Sequence, residues 1–183
     1  MPADSTGRPA ISAAREPGRP YRICLVCLGN ICRSPMAEVV VRAELAKAGL
    51  ARKVEVDSAG TGDWHIGQPM DSRARTELAR HGHDGAAHRA RQIDPSWLAS
   101  YDLLIAMDGS NLRNLRQMAP DRQTAAERIV LFRAFDPAAG PDAEVPDPYD
   151  GGGGEHFAEV FELVQAAARG LAAVLAEQLG DVA

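Results

Sequence analysis

Cys27 and Arg33, with five residues between them in Cys27-Leu-Gly-Asn-Ile-Cys-Arg33-Ser34, have the types and spacing that phosphoryl chemistry needs. A loop of that length turns once, so the main-chain N–H groups from Leu28 to Arg33 can curl into a ring of donors facing one point. Such a nest of amides takes a tetrahedral dianion, and a helix starting straight after it adds the positive end of its dipole. Arg33 supplies a planar, permanently charged fork for two anion oxygens. Cys27 sits at the mouth, where the field that attracts an anion also stabilises a thiolate. A thiolate beneath a bound phosphoryl group is a nucleophile aimed at phosphorus. Leu28, Gly29, Asn30, Ile31, Cys32 and Ser34 are therefore candidate binding residues, with Cys27 and Arg33 as candidate catalytic ones. Other readings of the same residues are weaker. Cys24 lies inside an apolar run and reads as core, a zinc site on Cys24, Cys27 and Cys32 lacks a fourth ligand, and a dinucleotide fingerprint needs more glycines than Gly29.

The elements around this loop are those that would place it at an active edge. Tyr21–Cys27 is a nearly continuous apolar run, the pattern of a strand buried on both faces. Ser34-Pro35 opens a helix, Ser as cap and Pro in the first turn, and the helix runs to about Ala48 before Gly49 stops it. Val54–Ala59 is a second strand, so strand, helix and strand form a parallel pair with a right-handed crossover. The alternation continues with a helix from Asp71 to His81, a strand Leu103–Met107, a helix Ser110–Met118 and a short strand Ile129–Leu131. Residues 136–154, rich in Pro and Gly, read as loop. A last amphipathic helix spans roughly Glu155 to Leu179, with Phe157, Val160, Phe161, Val164, Leu171, Val174 and Leu175 at helical spacing. The sum is a three-layer α/β/α sandwich on a small, about four-stranded parallel sheet, with a phosphate-binding loop after the first strand. Ligands bind at the carboxyl ends of strands in such sheets, which is where the loop falls.

Composition limits the function classes. With 183 residues, 45% hydrophobic and 25% charged, the chain suits one globular domain. No apolar run reaches the roughly 18–20 residues of a spanning helix, which argues against a membrane protein. A net charge of −5 argues against a general nucleic-acid binder. Three cysteines clustered within nine residues cannot staple a fold, so reduced thiols and a cytoplasmic setting are expected. Residues 1–20, with four prolines and little apolar content, read as a disordered leader lacking a signal-peptide core, and 21–183 as the functional domain. Residues 73–91 carry five Arg and three His, whereas 136–162 carry eight acids and no Lys or Arg. Such patches are commonly solvated faces, and the basic one suits acidic phosphoproteins.

The segment Val26-Cys-Leu-Gly-Asn-Ile-Cys-Arg-Ser-Pro-Met-Ala-Glu38 resembles the signature of the low-molecular-weight protein tyrosine phosphatases. The likeness extends through Asp57-Ser-Ala-Gly-Thr-Gly-Asp-Trp64-His65, His88-Arg-Ala-Arg-Gln-Ile93, Ala106-Met-Asp-Gly-Ser-Asn-Leu112 and Asp147-Pro-Tyr149, covering about Tyr21 to Leu179. It implies a four-stranded parallel sheet with flanking helices. It also implies hydrolysis of phosphotyrosine and aryl phosphate monoesters through a cysteinyl-phosphate, with no metal or organic cofactor. The substrates would be phosphotyrosine proteins and inorganic phosphate both product and inhibitor, the enzyme acting as a monomer without nucleic acid or membrane.

Further roles follow from that resemblance. Asp147, between Pro146 and Pro148, reads on local grounds equally as a plain turn or as a fixed carboxyl; the resemblance makes it the general acid. Tyr149 lines the pocket, but Asp150 stands where many family members have a second tyrosine, adding negative charge at the rim. A lone Trp is commonly core; the resemblance makes Trp64 a wall beside the substrate ring, while Trp97 reads as packing. Asn30, Ser58 and His88 resemble the family's hydrogen-bond network behind the loop, and Ser34 either caps the helix, donates to the sulfur, or does both. Asp108, at the end of a strand on the active edge, is given no more than a supporting role. Two rivals remain: an arsenate reductase on the same fold, disfavoured because no cysteine follows Cys32, and a non-catalytic phosphate-binding adaptor, disfavoured because Cys27, Arg33 and Asp147 are all present.

Overall fold

A computed structural model describes residues 10–149 and 153–180. Four strands, β1 (Tyr21–Cys27), β2 (Val54–Gly60), β3 (Leu103–Ala106) and β4 (Ile129–Leu131), form one parallel sheet in the order β2-β1-β3-β4. The apolar run of β1 is explained by its place between two neighbours and two layers. Alternation sends Ile23, Leu25 and Cys27 to one face, and Cys24 and Val26 to the other.

The first face is covered by α1 (Arg33–Lys47), α2 (Ser72–Arg80) and α5 (Gly154–Gly180), which bury Met36, Val40, Leu78, Phe157, Phe161 and Leu171 against it. The second is covered by α3 (Gly109–Met118) and a short 3-10 turn at Pro95–Ser100, which contribute Leu115 and Leu98. The result is the three-layer α/β/α sandwich expected from the alternating pattern. Because the crossovers run in parallel, the N-termini of α1 and α3 both open at the carboxyl edge of the sheet. No helix among the described residues is long and apolar enough to cross a membrane.

Three local readings are corrected. Residues 10–20 are not a free leader: Ile11 is buried in the main core, the Ser12 hydroxyl donates to the Glu127 carbonyl (2.8 Å), and the Arg15 N–H donates to Asp102 (2.6 Å). A polar, Pro-rich composition hides such single anchors, because each relies on a distant partner. Residues 1–9 and Asp150 lie outside the described residues. Helix α1 starts one residue early, at Arg33, and Ser34 does not cap it; the cap position is Cys32, with no side-chain cap bond. A further helix, α4 (Arg122–Glu127), escapes a periodicity search because it is six residues of mostly polar sequence; its signal is Asp121, whose side chain accepts from the Thr124 N–H.

Candidate active site

The loop from Cys27 to Arg33 leaves the central strand and enters α1 directly. Asn30 sits in the left-handed region at φ 56°, which is costly for a residue with a side chain and is met here by a closed set of hydrogen bonds. The Asn30 Oδ1 accepts the Arg91 main-chain N–H at 2.9 Å, which fixes the amide's orientation. Its Nδ2 then donates to Ser34 Oγ and Ser58 Oγ, each at 2.9 Å. His88 Nε2 donates to the Asn30 carbonyl at 2.7 Å, and the Ser58 hydroxyl donates to Glu38 Oε2. Burial holds the His88 pKa below its ordinary value of 6.5, which suits a neutral ring donating through one nitrogen.

This wiring also sets what happens at sulfur. Ser34 Oγ already accepts from Asn30, so its own hydrogen has two acceptors in reach, Cys27 Sγ at 3.0 Å and the more distant Ala59 carbonyl at 3.3 Å, and a charged sulfur draws it. The Asn30 N–H donates to the same sulfur at 3.2 Å. Cys27 therefore faces two donors beside the amino end of α1, as a nucleophilic sulfur should. The other two cysteines are arranged differently. Burial pushes the Cys24 thiol up to about 12, and burial also raises Cys32, helped by the negative charges of Asp71 and Asp147. Among the described residues, no protein acceptor takes the main-chain N–H groups of Leu28, Gly29, Ile31 or Cys32. Those are the donors an oxyanion requires.

Cys27, Leu28, Gly29, Ile31, Cys32, Arg33, Trp64, His65, Asp147 and Tyr149 line a single cleft of about 130 Å³. Sequence-predicted residues from three separate segments thus meet, with Asn30, Ser34, Ser58 and His88 forming the bonded layer behind. Trp64 is 67% exposed at the cleft and is not core, whereas Trp97 packs against the second core under the Arg91 guanidinium. The Arg33 side chain is buried and shared between two carboxylates. Nη1 reaches Asp108 Oδ2 (2.6 Å) and the Val145 carbonyl (3.2 Å), and Nη2 reaches Asp147 Oδ2 (2.6 Å). Burial disfavours its charge, but Cys27, Asp147 and Asp108 outweigh burial and raise its pKa.

Three participants carried too little sequence signal to be assigned these roles. Asp108 does more than lend general support: Oδ1 caps α3 through the Asn111 N–H (2.8 Å) while Oδ2 holds Arg33, so one carboxylate ties a helix end to the guanidinium. Its place as N-cap at a strand's carboxyl end is the signal that could have shown it. His65 lines the cleft with its ring centroid 6.0 Å from that of Tyr149, and it packs close over Gly29, where a Cβ would lie 2.9 Å from His65 Cδ2. Arg73 packs over the Tyr149 ring at 5.7 Å, a contact invisible without the tertiary fold.

The chain is similar to known proteins in both sequence and fold. Residues 22–181 match the model of the family described as low molecular weight phosphotyrosine protein phosphatase. The chain is 52% identical over 160 residues to a low molecular weight protein-tyrosine-phosphatase of Streptomyces coelicolor, covering 87% of this chain and 96% of that one. Its backbone is similar to the crystal structure of YfkJ from Bacillus subtilis, with a TM-score of 0.80 at 37% identity over 89% of this chain and 99% of that one. It is similar as well to Vibrio vulnificus Wzb in complex with benzylphosphonate, with a TM-score of 0.71 at 28% identity, covering 84% and 97% of the two chains.

Proposed function

The chain belongs to the low molecular weight phosphotyrosine protein phosphatase family, a class of phosphoric monoester hydrolases, and on that premise we propose that Cys27 is the nucleophile, Arg33 the phosphate clamp and Asp147 the general acid and base. The observation that carries the assignment is the pair of donors, Asn30 N–H and Ser34 O–H, converging on Cys27 Sγ at the floor of the cleft. The phosphoryl group enters the ring of loop N–H groups, and its oxygens take the Arg33 Nη2 that Asp147 holds. Asp108 keeps Nη1, so the guanidinium stays anchored while Asp147 is released toward the leaving oxygen. The Cys27 thiolate attacks phosphorus; the P–O bond to tyrosine breaks, and protonated Asp147 gives its proton to the departing oxygen. A water then attacks the cysteinyl-phosphate, Asp147 takes its proton, and the Ser34 hydroxyl stabilises the departing thiolate. Main-chain N–H groups and Arg33 hold the equatorial oxygens through both steps.

Leu28, Trp64 and Tyr149 are read as the walls that take the substrate ring; the benzylphosphonate complex of the Vibrio vulnificus relative supports an aryl-bearing ligand. Residues 21–183 act as the phosphatase domain, a monomer working in the cytoplasm on phosphotyrosine proteins, with inorganic phosphate as product and inhibitor. The cysteine usage supports that compartment: Cys24, Cys27 and Cys32 are all unpaired. Hydrolysis of an aryl phosphate is the test. Cys27→Ser is expected to lower turnover by at least about 10⁴-fold, and Asp147→Ala by about 10²–10³-fold while phosphate still binds. Equal turnover by Cys27→Ser and the unaltered enzyme overturns the assignment.

A further inference from the structure

Among the described residues, the large hydrophobic side chains left exposed are Leu28 (43%), Trp64 (67%), Ile66 (57%) and Tyr149 (45%). Single exposed apolar residues need no explanation, but here three of the four line one opening and Ile66 stands in the turn beside it, which marks a contact surface. Leu28, Trp64 and Tyr149 line the cleft, and Ile66 follows His65, another lining residue, in the same turn. That turn is a fixed platform. The Ile66 N–H donates to the Asp63 carbonyl, the Gln68 N–H to the His65 carbonyl and the Gly67 N–H to the Ala90 carbonyl, while His65 Nδ1 meets Gln68 Oε1 at 2.8 Å. A preorganised apolar patch loses little entropy when a partner covers it.

Charge at the rim favours an apolar partner over an acidic one. The cation beside Tyr149 is Arg73, but its guanidinium is already engaged by Asp71, through Nε at 3.1 Å and Nη2 at 2.9 Å. An extended peptide advances about 3.3 Å per residue, so a neighbour one or two positions from the reacting tyrosine lies within reach of the turn.

We propose that Ile66, in the turn that follows the ring wall Trp64, forms a subsite for a large apolar side chain next to the phosphotyrosine in a protein substrate. This rests on the phosphotyrosine reading and adds to it: the ring-binding walls continue outward, through Ile66, into a surface that selects the sequence around the ring. The test compares kcat/KM for phosphotyrosyl peptides that differ only in carrying Leu or Ser beside the phosphotyrosine, on either side, with phenyl phosphate as a substrate too small to reach Ile66. The unaltered enzyme should favour a Leu peptide by about tenfold. Ile66→Ser should shrink that preference to within about twofold with phenyl phosphate turnover unchanged, and Ile66→Leu should keep it. Equal rates for Leu and Ser peptides overturn the subsite while leaving the phosphatase reading intact. An Ile66→Ser loss that is the same for peptides and phenyl phosphate also overturns it. Hydrolysis of neither peptide nor phenyl phosphate overturns both.

Discussion

At the residue scale, Asn30 shows how a strained position is held by what surrounds it. A side chain at φ 56° survives because three polar contacts, to Arg91 N–H, Ser34 and Ser58, need an amide there. Asn30→Ala keeps the unfavourable φ and leaves buried donors and acceptors unpaired, so unfolding free energy should fall by about 3 kcal/mol. The catalytic effect should be separate and visible in folded protein as lower kcat, because the Ser34 hydroxyl loses the donor that directs it at sulfur; urea denaturation and steady-state rates check the two effects. Arg33→Lys keeps the charge but loses the planar fork, and kcat/KM should drop by about 10²–10³-fold without loss of fold. Cys27 and Arg33 were legible in the sequence because their relation is local, six residues along one loop. The partners of Arg33 were less so: Asp108 and Asp147 lie 75 and 114 positions away and meet it only through the sheet. Ser34 was half legible, since its type suits a cap wherever a helix begins, and only the tertiary position of Asn30 turns its hydroxyl toward Cys27.

At the scale of elements, the end of β2 presses against the loop between β1 and α1. A Cβ at Gly60 would lie 2.7 Å from the Leu28 carbonyl oxygen and 3.1 Å from the Asn30 nitrogen, both backbone atoms unable to swing aside. Gly60→Ala should displace the loop's donors and cost about 10²-fold in kcat/KM for aryl phosphate. The network behind the loop also gives a pH dependence. Folding holds the His88 pKa below 6.5 by burial, so the folded state binds fewer protons than the unfolded chain. Its contribution to stability is complete above about pH 6.5 and is lost as pH falls through the lowered folded value. Urea midpoints compared across that window should decline on acidification in the unaltered protein and decline less in His88→Gln. The order of strands and helices could be read from periodicity because each long element buries one stripe or both faces. Helix α4 could not, since its six mostly polar residues make no apolar stripe.

For the whole molecule, the two cores on either side of the sheet fix where its carboxyl edge opens, and α5 closes the larger one. Its tight point is Gly170, where a Cβ would fall 1.8 Å from the Phe135 carbonyl oxygen. Gly170→Ala must push the helix off that backbone, and a loss of about 1–3 kcal/mol in denaturation, with kcat little changed, is expected. Residues 10–20 add a strap at the opposite end of the sheet, where the Tyr21 hydroxyl donates to the Ser12 carbonyl (3.0 Å) and Arg128 to that of Ala13 (3.2 Å). Low apolar content conceals this strap, since two of its anchors are single hydrogen bonds to residues more than a hundred positions on.

The central claim is a covalent bond between Cys27 sulfur and phosphorus. Rapid acid quenching of the enzyme during aryl phosphate turnover, followed by peptide mass mapping, tests it most directly. The peptide containing Cys27 should carry one phosphoryl group, at higher occupancy in Asp147→Ala where the attack of water is slowed, and Cys27→Ser should carry none. Turnover with no phosphoryl group on Cys27, or with the group on another residue, would contradict the account.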